Sequence, residues 1–332
     1  MNKDKNIGGQ AVIEGVMMRG PKGYSIAVRK PDGSIDVKCV AQIPIAKRYK
    51  FLDIPFFRGA INLIEMLIIG IKALSHSANI AVEEEIAENK DENPKPSENK
   101  GEAAISNVAI AGTMMVAFAF AVGLFIILPN LSAHFIGNLG FLHLSNGAEK
   151  FSENTSPLIY NLISGFVRIL VFGLYIYAIS FMKDIQRLFQ YHGAEHKSIY
   201  AFEADNELTV ENTLQYTTLH PRCGTSFLFV VMFIAILIFS VVPVFIMKFY
   251  PNFGNLHLAI QKIIIILLHI VLMPIIAGIS YEIIKFASKY PKNPILKLIV
   301  LPGMLFQKVT TKEPDKDQLE VAIAALIAVL GI

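Results

Sequence analysis

Two histidines and a glutamate fall within five residues of YHGAEHKSIY (191–200), in the order His192-x-x-Glu195-His196. On a helix, positions i and i+4 share a face, with Cβ atoms about 5–6 Å apart. That spacing lets two imidazoles converge on one metal ion. It also sets Glu195 beside them, where a carboxylate can act as general base and take a proton from a metal-bound water. The same order of residues, H-x-x-E-H, occurs in the inverted zinc peptidases. The plainer reading is a polar helix end, with imidazoles near the negative end of the dipole and Glu195 in solvent.

His220-Pro221-Arg222-Cys223 follows within the same loop, just before an apolar run. Its His and Cys can add nitrogen and thiolate ligands to the same divalent ion, which a donor set of this type makes zinc. If His192, His196, His220 and Cys223 all bind, the site is closed and structural. If only three bind, a fourth position stays open and catalysis becomes available. Cys223 reads equally as an inert small thiol at a helix start. Glu282, in GISYEIIK, is a further candidate ligand, or else a carboxylate at a span end reaching for the interface. Arg168 sits near the middle of an apolar run, where a charge costs at least about 2.5 kcal/mol and must face a bundle or a polar cavity. Glu65 and Glu282 are its candidate partners. Glu14 stands with Gln10 and Arg19 among the glycines of GGQAVIEGVMMRGP, which either let a backbone approach something closely or simply mark turn-rich strands. His269, inside another apolar run, reads as a hydrogen-bonded bundle residue.

The elements that must carry these residues are mostly membrane helices. Of 332 residues, 53% are hydrophobic and 17% charged, and mean hydropathy is +0.50. A soluble domain carries about a quarter charged residues, so the chain reads as a polytopic helical membrane protein. A net charge of +3, with no basic cluster interleaved with aromatics, excludes nucleic acid as a partner. The expected partners are the bilayer and a membrane-associated substrate or protein. The first thirty residues lack the basic and apolar regions of a signal peptide.

Residues 1–82 are expected to form a small mixed α/β domain. GGQAVIEGVMMRGP predicts short extended pieces around turns. YSIAVRKPDGSIDVKCVAQI predicts a hairpin turning at Pro31-Asp32-Gly33. From Pro55, Asn62, Glu65, Lys72, His76 and Asn79 recur at helical spacing in an apolar segment, as in an amphipathic helix on a membrane surface or a bundle. Residues 83–103, with almost no apolar side chains and two prolines, are expected to be a disordered linker.

Four spans are expected within 104–290: Ile105–Pro129, Leu158–Met182, Phe227–Met247 and Ile263–Tyr281. Each is long enough to cross about 30 Å at about 1.5 Å per residue. The loop 130–156 holds only Lys150, whereas Lys183, Arg187, Lys197 and Arg222 share the 183–225 loop and Lys285, Lys289, Lys292 and Lys297 follow the last span. The positive-inside rule therefore puts both termini and the His-rich loop in the cytoplasm, where Cys39 and Cys223 stay reduced. In 291–332, PILKLIVLPGMLFQ is too short to cross and is broken by Pro302-Gly303, so an interfacial or re-entrant segment is expected. Glu313-Pro314-Asp315 then opens a final helix.

GGQAVIEGVMMRGP, YHGAEHKSIYAFE, LHPRCGTSF, GISYEIIK and TTKEPDKDQLEVAIAAL resemble the signature blocks of the YqhQ-like bacterial membrane proteins, from near Gly8 to near Leu326. That family is described as predicted metal-dependent enzymes. The resemblance implies an inner-membrane protein with metal-dependent activity. Two classes of function remain. One is a metal-dependent hydrolase at the cytoplasmic membrane surface, with His192 and His196 as ligands, His220 or Cys223 as a third, and Glu195 as base. The other is a non-enzymatic assembly factor or transporter-like protein whose His/Cys group is structural.

Overall fold

A computed structural model describes residues 7–49, 52–55, 57–92, 112, 115–138, 157–290 and 292–332. They divide into two compact units. One comprises Met1–Asn89, Ile176–Val231 and Leu272–Ile332, the other Lys90–Tyr175 and Met232–Val271.

The first unit is built on an antiparallel meander of β1 (Gly8–Val12), β2 (Gly15–Arg19), β3 (Gly23–Arg29) and β4 (Ile35–Ala41), hydrogen-bonded in that order. The glycine-punctuated N-terminal block supplies β1 and β2, joined through Ile13 and Glu14, with Glu14 at φ 51°. The expected hairpin is β3–β4. Its turn is held by Ser34, whose N–H and Oγ both donate to Asp32 Oδ1, and by Gly33 at φ +83°, which glycine alone adopts cheaply.

Alternation along β2 gives the sheet two buried faces. Val16 and Met18 point to one cluster with Tyr191, Ala194, Leu319 and Leu326. Met17 points to the other, with Tyr24, Ile26, Ile69 and Ala73. Helix α1 (Phe57–Glu92) covers the second face. It is anchored by buried Glu65, which accepts from Arg19 and from Gln42 Nε2 at 2.9 Å. The first face is covered by two helices that are far away in the chain, α4 (Lys183–Glu203) and α8 (Lys316–Leu330). The start of α8 is fixed by a capping box between Asp315 and Gln318. Segments that the sequence suggests as separate regions are thus layers of one core.

α1 continues to Glu92, into the stretch expected to be linker, because Glu, Ala and Lys are good helix formers. The remainder, 93–103, lies outside the described residues. Helix α7 (Pro294–Thr310) is continuous through Pro302-Gly303, where a break is expected. Gly303 is needed there for contact: a Cβ would lie 2.5 Å from Ser226 Cα.

Among the described residues, four helices are long and apolar enough to cross a membrane: α2 (Met115–Gly137), α3 (Pro157–Ile179, apolar from Leu158), α5 (Gly224–Phe249) and α6 (Leu258–Lys289, apolar from Ala259). The first runs past Pro129, although the expected span stops there; residues 105–111 and 113–114 lie outside the described residues. A π-turn at Gly123–Ile127 carries the helix through the proline. Pro129 has no N–H to give Phe125, four residues earlier, and Arg168 of α3 donates Nε–H to that carbonyl at 3.2 Å instead. Arg168 therefore pairs with neither Glu65 nor Glu282. Its partner is a carbonyl that a proline leaves free, which no charge pattern in the sequence announces. Ser164 Oγ and Tyr160 Oη donate to Asn130 Oδ1 and O, both at 2.9 Å, and extend this polar contact between α2 and α3. His269 stacks on Phe239, with centroids 3.9 Å apart.

Candidate metal centre

His192 and His196 lie one turn apart on α4, with ring centroids 4.5 Å apart. Each ring is fixed by a backbone carbonyl. His192 Nδ1 donates to Thr310 O at 2.8 Å, where α7 ends. His196 Nδ1 donates to Thr218 O in the segment between α4 and α5. Both Nε2 atoms are thereby left free to act as ligands, the arrangement in which a donor bond on one nitrogen fixes the tautomer of a metal-binding imidazole. His192 Nε2 lies 3.1 Å from Cys223 Sγ. His196 Nε2 is buried with no hydrogen-bond partner.

The two imidazoles and the thiol present ligand atoms within 4.8 Å of one another. Zinc, with bonds of about 2.0–2.3 Å, would need ligand atoms about 3.3–3.8 Å apart, so this set would have to contract to hold an ion. Cys223 immediately precedes α5. Its sulfur is approached by Thr225 N–H at 3.4 Å and Thr225 Oγ1 at 3.1 Å. Burial pushes the His196 imidazole below its ordinary range, against the opposing pull of Cys223. A neutral imidazole is the form that binds metal.

The local sequence builds this geometry. Lys197 Nζ, His196 Nδ1 and Tyr200 Oη on α4 take the carbonyls of Leu214, Thr218 and Leu219, and so lay the following segment along the helix. Gly193 lets the 310–313 segment cross α4: a Cβ there would meet Lys312 O at 2.0 Å. Lys312 N–H donates to Phe189 O at 2.9 Å in the same crossing. Gln307, fully buried on α7, accepts from His220 N–H at 2.8 Å. It donates to His220 O at 2.9 Å and Ser226 Oγ at 2.8 Å. Gly193, Gln307 and the carbonyl positions Thr218 and Thr310 are not legible as site residues from side-chain type. The nearest sequence signal is that YHGAEH and TTKEP both fall in blocks that carry the family resemblance.

His220 is buried beside His196 and Tyr200, with centroids 5.6 and 4.5 Å away, but its ligand atoms are outside the three-residue group. Its Nδ1 accepts from Arg222 N–H at 3.3 Å and its Nε2 faces Glu203 at 3.5 Å. Burial holds its pKa down at about 4. Glu195 is buried against β1, where the Gly9 N–H reaches its carboxylate; a Cβ on Gly9 would come within 2.9 Å of Glu195 Cδ. Burial pushes this carboxyl up, while His192 and His220 pull the other way. Glu282 is engaged by Arg58 through two bonds of 2.7 Å and lies with α1, not with the His/Cys group. That pair forms because Gly59 brings α1 onto Gly278 and Tyr281 of α6. Glu14 accepts from Arg187 twice and from Tyr191 Oη at 3.3 Å, on the rim of a cleft of about 520 Å³ that Arg29 also lines.

Residues 54–332 match a family described as a protein of unknown function, DUF1385. Over 325 residues the chain is 32% identical to a protein of Bacillus subtilis (strain 168) named "Uncharacterized protein YqhQ", covering 98% of this chain and 92% of that one. No solved structure matches.

Proposed function

The chain belongs to the DUF1385 family, and we propose that it is a multi-pass protein of the bacterial cytoplasmic membrane holding a divalent ion, zinc by donor type, as a metal-dependent hydrolase of a membrane-associated substrate. The observation that carries this reading is the convergence of His192 Nε2, His196 Nε2 and Cys223 Sγ, with both Nδ1 atoms already bonded to carbonyls. Three ligands leave a fourth tetrahedral position, as in catalytic zinc sites. A bound ion would supply Lewis acidity to the bond being cleaved. The chain's own part is to hold that ion, to fix the rings through Thr218 and Thr310, and to keep the Glu195 carboxyl as a proton carrier beside them. Cys223 directly precedes span α5, which supports a site at a membrane surface.

In Glu195→Gln the size and much of the hydrogen bonding survive, but the carboxyl can no longer carry a proton. The enzyme reading expects normal protein level and metal content by mass spectrometry, with failure to complement loss of the protein. Complementation with metal retained would sink it.

A structural centre in an assembly factor or transporter-like protein is the second reading. It is favoured by the burial of His196 and Cys223 and by the Gln307 latch, which fit a staple. Cobalt-substituted protein separates the two: added cyanide shifts the visible spectrum of an open site and leaves a closed one unchanged.

The basic-residue asymmetry supports cytoplasmic termini. Cysteines introduced near Ser145 should then label from outside intact cells, and ones near Asn206 should not. The reverse pattern would invert the topology.

A further inference from the structure

Between β4 and α1 lies an open cleft of about 320 Å³. Lys38 stands on one wall, and Lys72, Ser75, His76 and Asn79 on the other. Among the described residues no carboxylate lines it. His76 is bonded to Asp36 at 3.2 Å, but neither Lys38 nor Lys72 forms an ion pair among the described residues. Two ammonium groups sharing one cavity, with no counter-ion among the described residues, attract an anion, and Ser75 and Asn79 add neutral hydrogen-bonding groups beside them.

The same helix carries an apolar stripe that the unit leaves uncovered. Ile64, Leu67, Ile68, Ile71 and Leu74 follow helical spacing and are 44–62% exposed, while Glu65, Ile69, Ala73 and Ser77 are buried. The stripe runs into the cleft, where Ile71 forms part of the lining. The start of α1 is fastened to α6, a candidate span, by the Gly59 contact with Gly278 and Tyr281 and by the Arg58–Glu282 pair. The exposed stripe is therefore continuous with the end of a membrane helix, and an aqueous setting would leave it as a large apolar patch.

We propose that this groove binds an anionic phospholipid, with the phosphodiester between Lys38 and Lys72 and the acyl chains along Ile64–Ile71. Both halves of the ligand are specified: charge complementarity selects the headgroup, and the adjoining stripe selects lipid over free phosphate. The site is separate from the His/Cys group and does not depend on that reading.

Photo-crosslinking of the full chain in bilayer discs tests it. One set of discs carries a diazirine-acyl phosphatidylglycerol, the other its phosphatidylcholine counterpart at the same mole fraction, and adducts are located by peptide mass spectrometry. Residues 64–74 should carry several-fold more adduct from phosphatidylglycerol. Lys38→Ala with Lys72→Ala should bring that yield down to the phosphatidylcholine level, with adducts on 224–249 unchanged, whereas Lys38→Arg with Lys72→Arg should preserve the preference. Equal yields in the unaltered protein would overturn headgroup selection. An absence of adducts on 64–74 would assign the stripe to a protein partner or a second copy. Loss of the preference in inorganic phosphate, but not in chloride of equal ionic strength, would assign the cleft to free phosphate.

Discussion

Which residues could hold a metal is decided by where each imidazole's free nitrogen points. His192 and His196 give Nδ1 to carbonyls and lie with Cys223 in one group of ligand atoms, whereas His220, whose buried Nε2 also has no hydrogen-bond partner, keeps its ligand atoms outside that group. Removing a ligand from a three-ligand set should therefore differ sharply from removing its neighbour. His192→Ala and Cys223→Ser should lose most bound metal in purified protein, and His220→Ala should retain it at near-normal stoichiometry. Equal loss in all three would restore His220 to the shell. The sequence made the two α4 histidines legible because helical spacing alone aligns them. It could not separate His220 from Cys223, since adjacency in HPRC says nothing about which side chain brings a ligand atom to the histidine pair. Glu195 was legible as part of the group, but not its burial against Gly9, because that contact joins residues 186 positions apart, from Gly9 to Glu195.

The elements around the site explain why a glycine interrupts the histidine pair. Glycine inside a helix costs about 1 kcal/mol relative to alanine, yet the space above Gly193 is filled by Lys312 O. That crossing also delivers Thr310 O to His192 Nδ1. In Gly193→Ala the new methyl would collide with a backbone carbonyl, so the 310–313 segment must lift and the hold on His192 must loosen. Loss of such an orienting bond costs roughly 10–100-fold in metal affinity. Gly193→Ala should show a loss of that size by competition with a chromophoric chelator, with α4 still helical by circular dichroism. Unchanged affinity would mean that Thr310 does not orient the ligand. The hairpin, the spans and the last helix were legible as elements because period, turn residues and caps are local. The continuity of α7 through Pro302-Gly303 and of α2 through Pro129 was not, because each depends on a partner: Ser226 against Gly303, and Arg168 on the Phe125 carbonyl.

At the scale of the molecule, the unit that carries the site is assembled from three stretches of chain separated by membrane helices. The sheet β1–β4 forms half of a core whose other half is α4 and α8, so it cannot bury its first face until the chain has been threaded to its end. The dependence is quantifiable at α8, which contributes no candidate ligand. Leu319, Val321, Ala322, Ala325 and Leu326 are fully buried there, and Ser25 Oγ donates to Ala325 O at 2.6 Å across the interface with β3. Truncating one such leucine costs about 2–5 kcal/mol, a large share of the stability of an ordinary domain. Leu319→Ala combined with Leu326→Ala should therefore reduce bound metal and open the N-terminal sheet to protease, while the four spans still insert in the membrane. The expected readout is a cleavage within 7–49 together with loss of metal from a full-length, membrane-integrated protein. If metal stays bound and the sheet stays resistant, then α4 alone supports the site and the C-terminal helix is only an appendage to the core.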